Sequence, residues 1–137
     1  MKKLFVILFC VFFMVLVGCF SQKETTIQRA KEDELIQYDI HETQADRSYI
    51  YIVNDQDVSY IVFRNMGINP DQVILEKEGH KYIVNVGTVS EEVEESVYVF
   101  KLLKGKNMKN DEKENMAVLV VSDGTKEYPF EFVAGYE

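Results

Sequence analysis

YIYIVNDQDVSYIVFR, residues 49–64, decides the fold of this chain. It holds two runs, 49–53 and 58–64, made almost entirely of β-branched and aromatic residues, the types that fit a pleated, half-buried surface. Between them stands Asn54-Asp55-Gln56-Asp57, four polar residues of the kind that close a hairpin. The stretch therefore reads as two antiparallel strands. At strand spacing Tyr49 and Tyr51 share one face, and Tyr60 lies in the second run. Such tyrosines either pack across neighbouring strands or form an exposed patch for a sugar, a peptide or a protein.

Toward the C-terminus the same signals recur. NMGINPD, 65–71, contains Gly and Asn-Pro and predicts a turn. Residues 72–77 and 81–88 flank Glu78-Gly79-His80 and predict a second hairpin, with Tyr82, Val84 and Val86 alternating with Lys81, Ile83 and Asn85. Glu91, Glu92, Glu94 and Glu95 form an acidic turn before a strand at 97–103. KGKNMKNDEKENM, 104–116, is long and highly charged, and its composition predicts a mobile loop. Residues 117–122 and 126–133 are joined through Asp123-Gly124, a type I′ hairpin signal. Pro129 interrupts the final strand and places it at an edge or a bulge. Phe130 and Phe132 are expected in the core. About seven short strands in sequential hairpins predict a mainly β fold, an antiparallel sandwich or curled sheet.

Toward the N-terminus the period changes. DIHETQADR, 39–47, reads as loop. Residues 26–37 predict one N-terminal helix: Ser21-x-x-Glu24 and Thr25-x-x-Gln28 fit capping boxes, and Ile27, Ala30, Leu35 and Tyr38 could share a face. With that helix laid on one antiparallel sheet, an α+β arrangement is the alternative. Residues 20–26 are polar after Phe20, so 19–26 reads as a tether and 27–137 as a single strand-rich domain.

The first residues are of a different kind. Lys2 and Lys3 precede LFVILFCVFFMVLV, an apolar run from residue 4 to residue 17 that has the length of a signal core and falls short of the ~20 residues a spanning helix needs. Leu16-Val17-Gly18-Cys19 follows at once. This stretch, residues 1–19 only, resembles the lipobox signal of bacterial lipoproteins. The resemblance implies that Cys19 carries a diacylglycerol on its sulfur, that cleavage falls between Gly18 and Cys19, and that the mature chain is a membrane-anchored bacterial lipoprotein on the extracytoplasmic face of the cell membrane. Two acyl chains make a stable anchor, where one binds only marginally.

Composition narrows the remainder. The 137-residue chain has 15 basic and 23 acidic residues and a net charge of −8. With Lys2 and Lys3 removed, 13 basic residues face the same 23 acidic ones, a balance of −10. A field of that sign repels phosphate backbones and anionic lipid headgroups, so no nucleic-acid partner is expected. Cys10 lies in the signal and Cys19 is the lipidation site, which leaves no thiol for catalysis, redox chemistry or metal binding. Asn54, Asp55 and Asp57 lack the glycine and distant glutamate of a calcium loop. His41 and His80, the only histidines, have no zinc spacing and are expected in exposed loops. There is no GxSxG, no SxxK and no glycine-rich phosphate loop. The residues name no catalytic, cofactor-binding or metal site and imply no cofactor. The expectation is a non-enzymatic interaction module whose partners are the membrane, through Cys19, and an unknown protein or envelope component. A small-ligand or cation-binding lipoprotein is the alternative.

Overall fold

The computed structural model describes residues 24–40, 47–132 and 134–135. Its centre is the hairpin of residues 49–64. Strands β3 (Tyr49–Asn54) and β4 (Val58–Arg64) pair antiparallel from Tyr49↔Arg64 to Asn54↔Ser59. β7 (Val97–Leu103) pairs antiparallel with the other side of β4. β1 (Thr26–Ala30) adds to β7 at one edge, and the two-residue β10 (Glu131–Phe132) adds to β3 in parallel at the other. The five strands run in the order β1-β7-β4-β3-β10.

Alternation sorts this sheet into two apolar faces. Ile50, Ile52, Ile61, Phe63, Tyr98, Phe100 and Leu102 form one, and Tyr51, Val53, Tyr60, Val62 and Val99 the other. The first face packs on a second sheet in the order β5-β6-β8-β9. There β5 (Ile74–Glu78) and β6 (Lys81–Asn85) form a hairpin through Gly79-His80, with Gly79 at φ +61° where a Cβ would be strained. β8 (Val118–Ser122) pairs parallel to β6, and β9 (Glu127–Tyr128) returns antiparallel to β8. Tyr82, Val84 and Val121 point into the shared core, and Phe63 meets Phe100 edge to face at 5.8 Å between ring centroids. The second face is covered by Leu35 and Tyr38, carried on a 3-10 turn (Glu32–Leu35) and the residues after it. Lys101 donates to Glu34 at 2.8 Å and pins that turn over β7. A short ribbon of β2 (Asp39–Ile40) and β11 (Ala134–Gly135) lies beside β3.

The architecture is thus a β-sandwich of two mixed sheets, and three expectations are corrected. The sheets are not wholly antiparallel, because β8 does not pair with β7. Between them the chain forms the single α-helix of the described residues, α1 (Lys106–Lys113), which carries it across to the second sheet and sets β8 parallel to β6. The segment expected as a loop is therefore helical. The expected N-terminal helix over 26–37 is instead a strand followed by a 3-10 turn. Thr25 does not cap a helix there; its hydroxyl is used by α1. β1 gains a full backbone ladder to β7, which outweighs a weak helical preference. Its polar Gln28 and Arg29 suit an edge strand.

Pro129 does interrupt the final stretch, but 126–133 is not one strand: Pro129 stands between β9, at the edge of one sheet, and β10, at the edge of the other. Lacking an N–H, it marks the crossing at which the chain leaves one ladder for another. The Asp123-Gly124 turn is present, but only Gly124 has positive φ. Asp123 Oδ1 instead accepts from the backbone N–H groups of Lys126 and Thr125, at 2.8 Å each. Those bonds hold the Asp123 carboxyl far below its ordinary range.

Leu102 is fully buried, whereas Phe132 is 62% exposed and is not a core residue. Leu102→Ala is expected to cost the domain about 2–5 kcal/mol in urea unfolding, and Phe132→Ala to stay within about 0.5 kcal/mol. Equal losses would contradict this assignment of the core.

Candidate functional site

The polar chemistry of the domain gathers at the end of the sandwich that α1 closes. Helical spacing gives α1 two unlike faces. Met108 and Asp111 are buried, with Met108 in the main core. Lys106, Lys109 and Lys113 recur at i, i+3 and i+7 on the opposite face and are exposed. Thr25 holds the start of the helix. Its hydroxyl accepts from the Gly105 N–H at 3.0 Å and donates to Asn107 Oδ1 at 2.9 Å. Lys109 pairs with Asp57 at 2.7 Å, which holds the Asp57 carboxyl below its usual range.

Two buried charged groups meet on the inner side of the helix, Lys104 just before it and Asp111 within it. The Lys104 side chain is 1% exposed, and its ammonium donates to Asn54 Oδ1 at 2.8 Å, the Asp55 carbonyl at 2.6 Å and Glu112 Oε2 at 3.0 Å. Three N–H donors thus meet three acceptors, the condition under which a buried ammonium is tolerable. Asp111 accepts from the Tyr82 hydroxyl at 2.6 Å and from His80 Nδ1 at 2.9 Å. The Tyr82 bond, with the weaker help of His80, holds the Asp111 carboxyl below its ordinary value against the opposing effect of burial. Burial first, and then the Asp111 carboxylate, push the Tyr82 phenol well above 10.

Several shallow clefts open on the surface of the described residues, and two of them bear on function. One, about 530 Å³, lies between the β3–β4 turn and α1 and is lined by Asp55, Gln56, Lys109, Asn110, Glu112 and Lys113. The other, about 380 Å³, runs along the C-terminal crossing and is lined by Arg47, Tyr49, Ile50, Met66, Tyr128 and Phe130. Arg47 has no carboxylate within ion-pair distance among the described residues. The Tyr49 hydroxyl is the one buried side-chain polar atom among them that lacks a hydrogen-bond partner.

The residues singled out from sequence are distributed as follows. Gly18, Cys19 and His41 lie outside the described residues. Tyr51 and Tyr60 are buried, and Tyr49 stacks on Tyr51, so these rings pack on the sheet and do not form an exposed patch. His80 is at the hairpin tip and half exposed, but its ring is held by Asp111. Asn54 and Asp55 serve Lys104, Ser59 and Tyr38, while Asp57 serves Lys109. Glu91, Glu92, Glu94 and Glu95 are exposed at the opposite end of the sheet, and Glu95 pairs with Arg29 at 2.7 Å. Among the described residues no three His, Cys, Asp or Glu side chains are placed to hold a metal ion. Sequence reading missed Thr25, Lys104 and Asp111. The only available signal was the i, i+3, i+7 lysine spacing of 106–113, a helical pattern inside an otherwise loop-like composition. Compared with known proteins, the chain matches no family model, no curated protein and no solved structure.

Tyr38, Tyr60, Tyr82 and Tyr128 all have phenols raised, with burial the largest cause in each. In the unfolded chain these groups ionise near pH 10. Their stabilisation is therefore complete below about pH 10 and is lost as pH climbs toward the folded values. Asp111 acts in the opposite sense: its contribution is present above about pH 4 and fades as pH falls through its depressed folded value. Tyr82→Phe should cost about 1–3 kcal/mol at neutral pH, because a carboxylate oxygen loses its donor, and should flatten the alkaline decline. Circular-dichroism unfolding at pH 7 and pH 10.5 measures both. An unchanged alkaline slope would exclude Tyr82 as a contributor.

Proposed function

We propose that this chain is a membrane-anchored bacterial lipoprotein. A lipid on Cys19 holds it at the extracytoplasmic face of the cell membrane, and the domain acts there as a non-catalytic binding module for a protein or envelope component. The observation that carries the reading is Leu16-Val17-Gly18-Cys19 placed directly after an apolar run of 14 residues. A thiol at that position supplies the thioether, and a glycine before it suits a narrow cleavage pocket. Two features of the domain are consistent with this. Among the described residues, contacts with the body of the fold already begin at Thr25, close behind the anchor in the chain. The buried charges, Lys104 and Asp111, have their hydrogen bonds taken up in fastening α1. Among the described residues no helix is long and apolar enough to cross a membrane.

Mass spectrometry of the native product is expected to show a chain beginning at Cys19 and carrying a diacylglyceryl group. Cys19→Ala should move the protein from the membrane fraction to the soluble fraction. An unmodified Cys19, or residues 1–18 still attached, would overturn the anchor.

A second reading is favoured by the cleft along the C-terminal crossing, where Arg47, without a carboxylate partner among the described residues, stands beside Tyr128, Phe130 and Met66. That combination suits a small, flat, apolar ligand bearing a carboxylate. Aromatic carboxylates should then raise the melting temperature of the mature protein, by the equivalent of about 2.7 kcal/mol at a hundredfold excess over Kd, and Arg47→Ala should abolish the rise. A flat response across such a panel would remove the ligand-capture reading.

A further inference from the structure

The geometry points to the outward face of α1 as the surface that rests on an anionic bilayer, so that the lipid anchor orients the domain as well as retaining it. This inference rests on the lipoprotein reading above.

The first argument is reach. Thr25 is bonded to Gly105 and Asn107 at the start of α1. Cys19 lies six residues earlier, and six extended residues span at most about 22 Å. A lipid on Cys19 therefore keeps the start of α1 within that distance of the bilayer. β1 begins at the same end, with Thr26 opposite Leu103. Arg29 and Glu95 mark the other end of the sheet, farther away by up to about 20 Å, the length of a seven-residue strand.

The second argument is charge. The mature chain has a balance of −10, yet Lys106, Lys109 and Lys113 share the exposed face of α1. Among the described residues Lys106 and Lys113 have no carboxylate partner, and Lys109 has Asp57. The acids of the helix are turned elsewhere: Asp111 bonds inward to Tyr82 and His80, and Glu112 bonds to Lys104. Glu24 and Glu114 are exposed at this end, as is Glu78 at the β5–β6 tip. The glutamates 91–95 lie at the far end, where they are not forced against anionic headgroups. The domain is thus polarised, with its exposed helical lysines beside the tether and its acidic loop away from it. A lysine near an anionic bilayer biases the bound orientation about fivefold; with Lys109 offset by Asp57, Lys106 and Lys113 together supply at most on the order of thirtyfold, which the exposed Glu24 and Glu114 reduce.

The test uses the acylated mature protein in phosphatidylglycerol-rich vesicles and in phosphatidylcholine vesicles. With Cys19 acylated, an introduced cysteine is the only free thiol, so Asn110→Cys and Glu92→Cys each accept one fluorescent label. Quenching by a headgroup-attached quencher reports proximity to the bilayer. The expected result is strong quenching at position 110 and little at 92 in the anionic vesicles, with the contrast lost in phosphatidylcholine, at high salt, and in the triple variant K106Q/K109Q/K113Q. Melting curves establish that the triple variant folds. Equal quenching at both positions with the protein still vesicle-bound would overturn the orientation and leave the anchor standing. A contrast that survives the triple substitution would overturn the role of the lysines. Protein that does not co-sediment with vesicles, or whose Cys19 is unmodified, would remove the anchor and the orientation with it.

Discussion

Strands β3, β4 and β7 are apolar on both faces, and the rest of the structure answers that constraint. A hairpin with one apolar face can leave the other to water; this one cannot. Ile52, Ile61 and Leu102 require one cover and Tyr51, Val53 and Val62 another, and all six are nearly inaccessible to solvent. The second sheet supplies the first cover. The 3-10 turn with Leu35 and Tyr38 contributes to the second, held down by Lys101 and Glu34. At about 25 cal/mol per Å² of apolar surface removed from water, no single polar interaction among the described residues competes with this double burial.

The polar interactions act where the sheets end. A sandwich is open at both ends, and its strand termini leave backbone groups to be satisfied. At one end α1 closes the gap and is fastened by four separate contacts, through Thr25, Asp57, Lys104 and Asp111. The bonds to Lys104 and Asp111 are between groups largely shielded from solvent, so water competes weakly for them. At the other end Gly67 lies so close to Ser90 that a Cβ would come within 2.1 Å of the Ser90 carbonyl oxygen, and the Ser90 N–H donates to the Gly67 carbonyl at 2.9 Å. One edge is stitched by the C-terminal segment, which pairs first with β8, then with β3 and then with β2.

The proposed role follows from address and surface together. Net charge alone speaks against any association with anionic lipid, but a net value averages over the molecule. The folded domain separates its charges, so the membrane can meet a face unlike the average. In the proposed orientation the far end, with its glutamates, would be turned away from the bilayer. The buried titratable groups are committed to structure, which leaves the surface as the place where a binding module would act.

The local signals in the sequence were strong wherever a residue's preference depends on its immediate neighbours. The hairpin of residues 49–64, the Gly79 turn, the break at Pro129 and the alternation of Tyr82, Val84 and Val86 are all set by backbone sterics or by period, and all are present in the structure. The lipobox resemblance of residues 16–19 lies outside the described residues and rests on the order of adjacent residues alone. What the sequence could not determine depends on partners distant in the chain. Residues 26–30 form a strand because β7 offers a ladder more than sixty residues away. Residues 106–113 form a helix because Thr25, Tyr82 and Lys104 supply its contacts. Phe132 is exposed because β10 is an edge. β8 is parallel to β6 because α1 carries the chain across. Each of these outcomes was decided by long-range pairing, whose free energy exceeds the few tenths of a kcal/mol per residue by which local propensities differ.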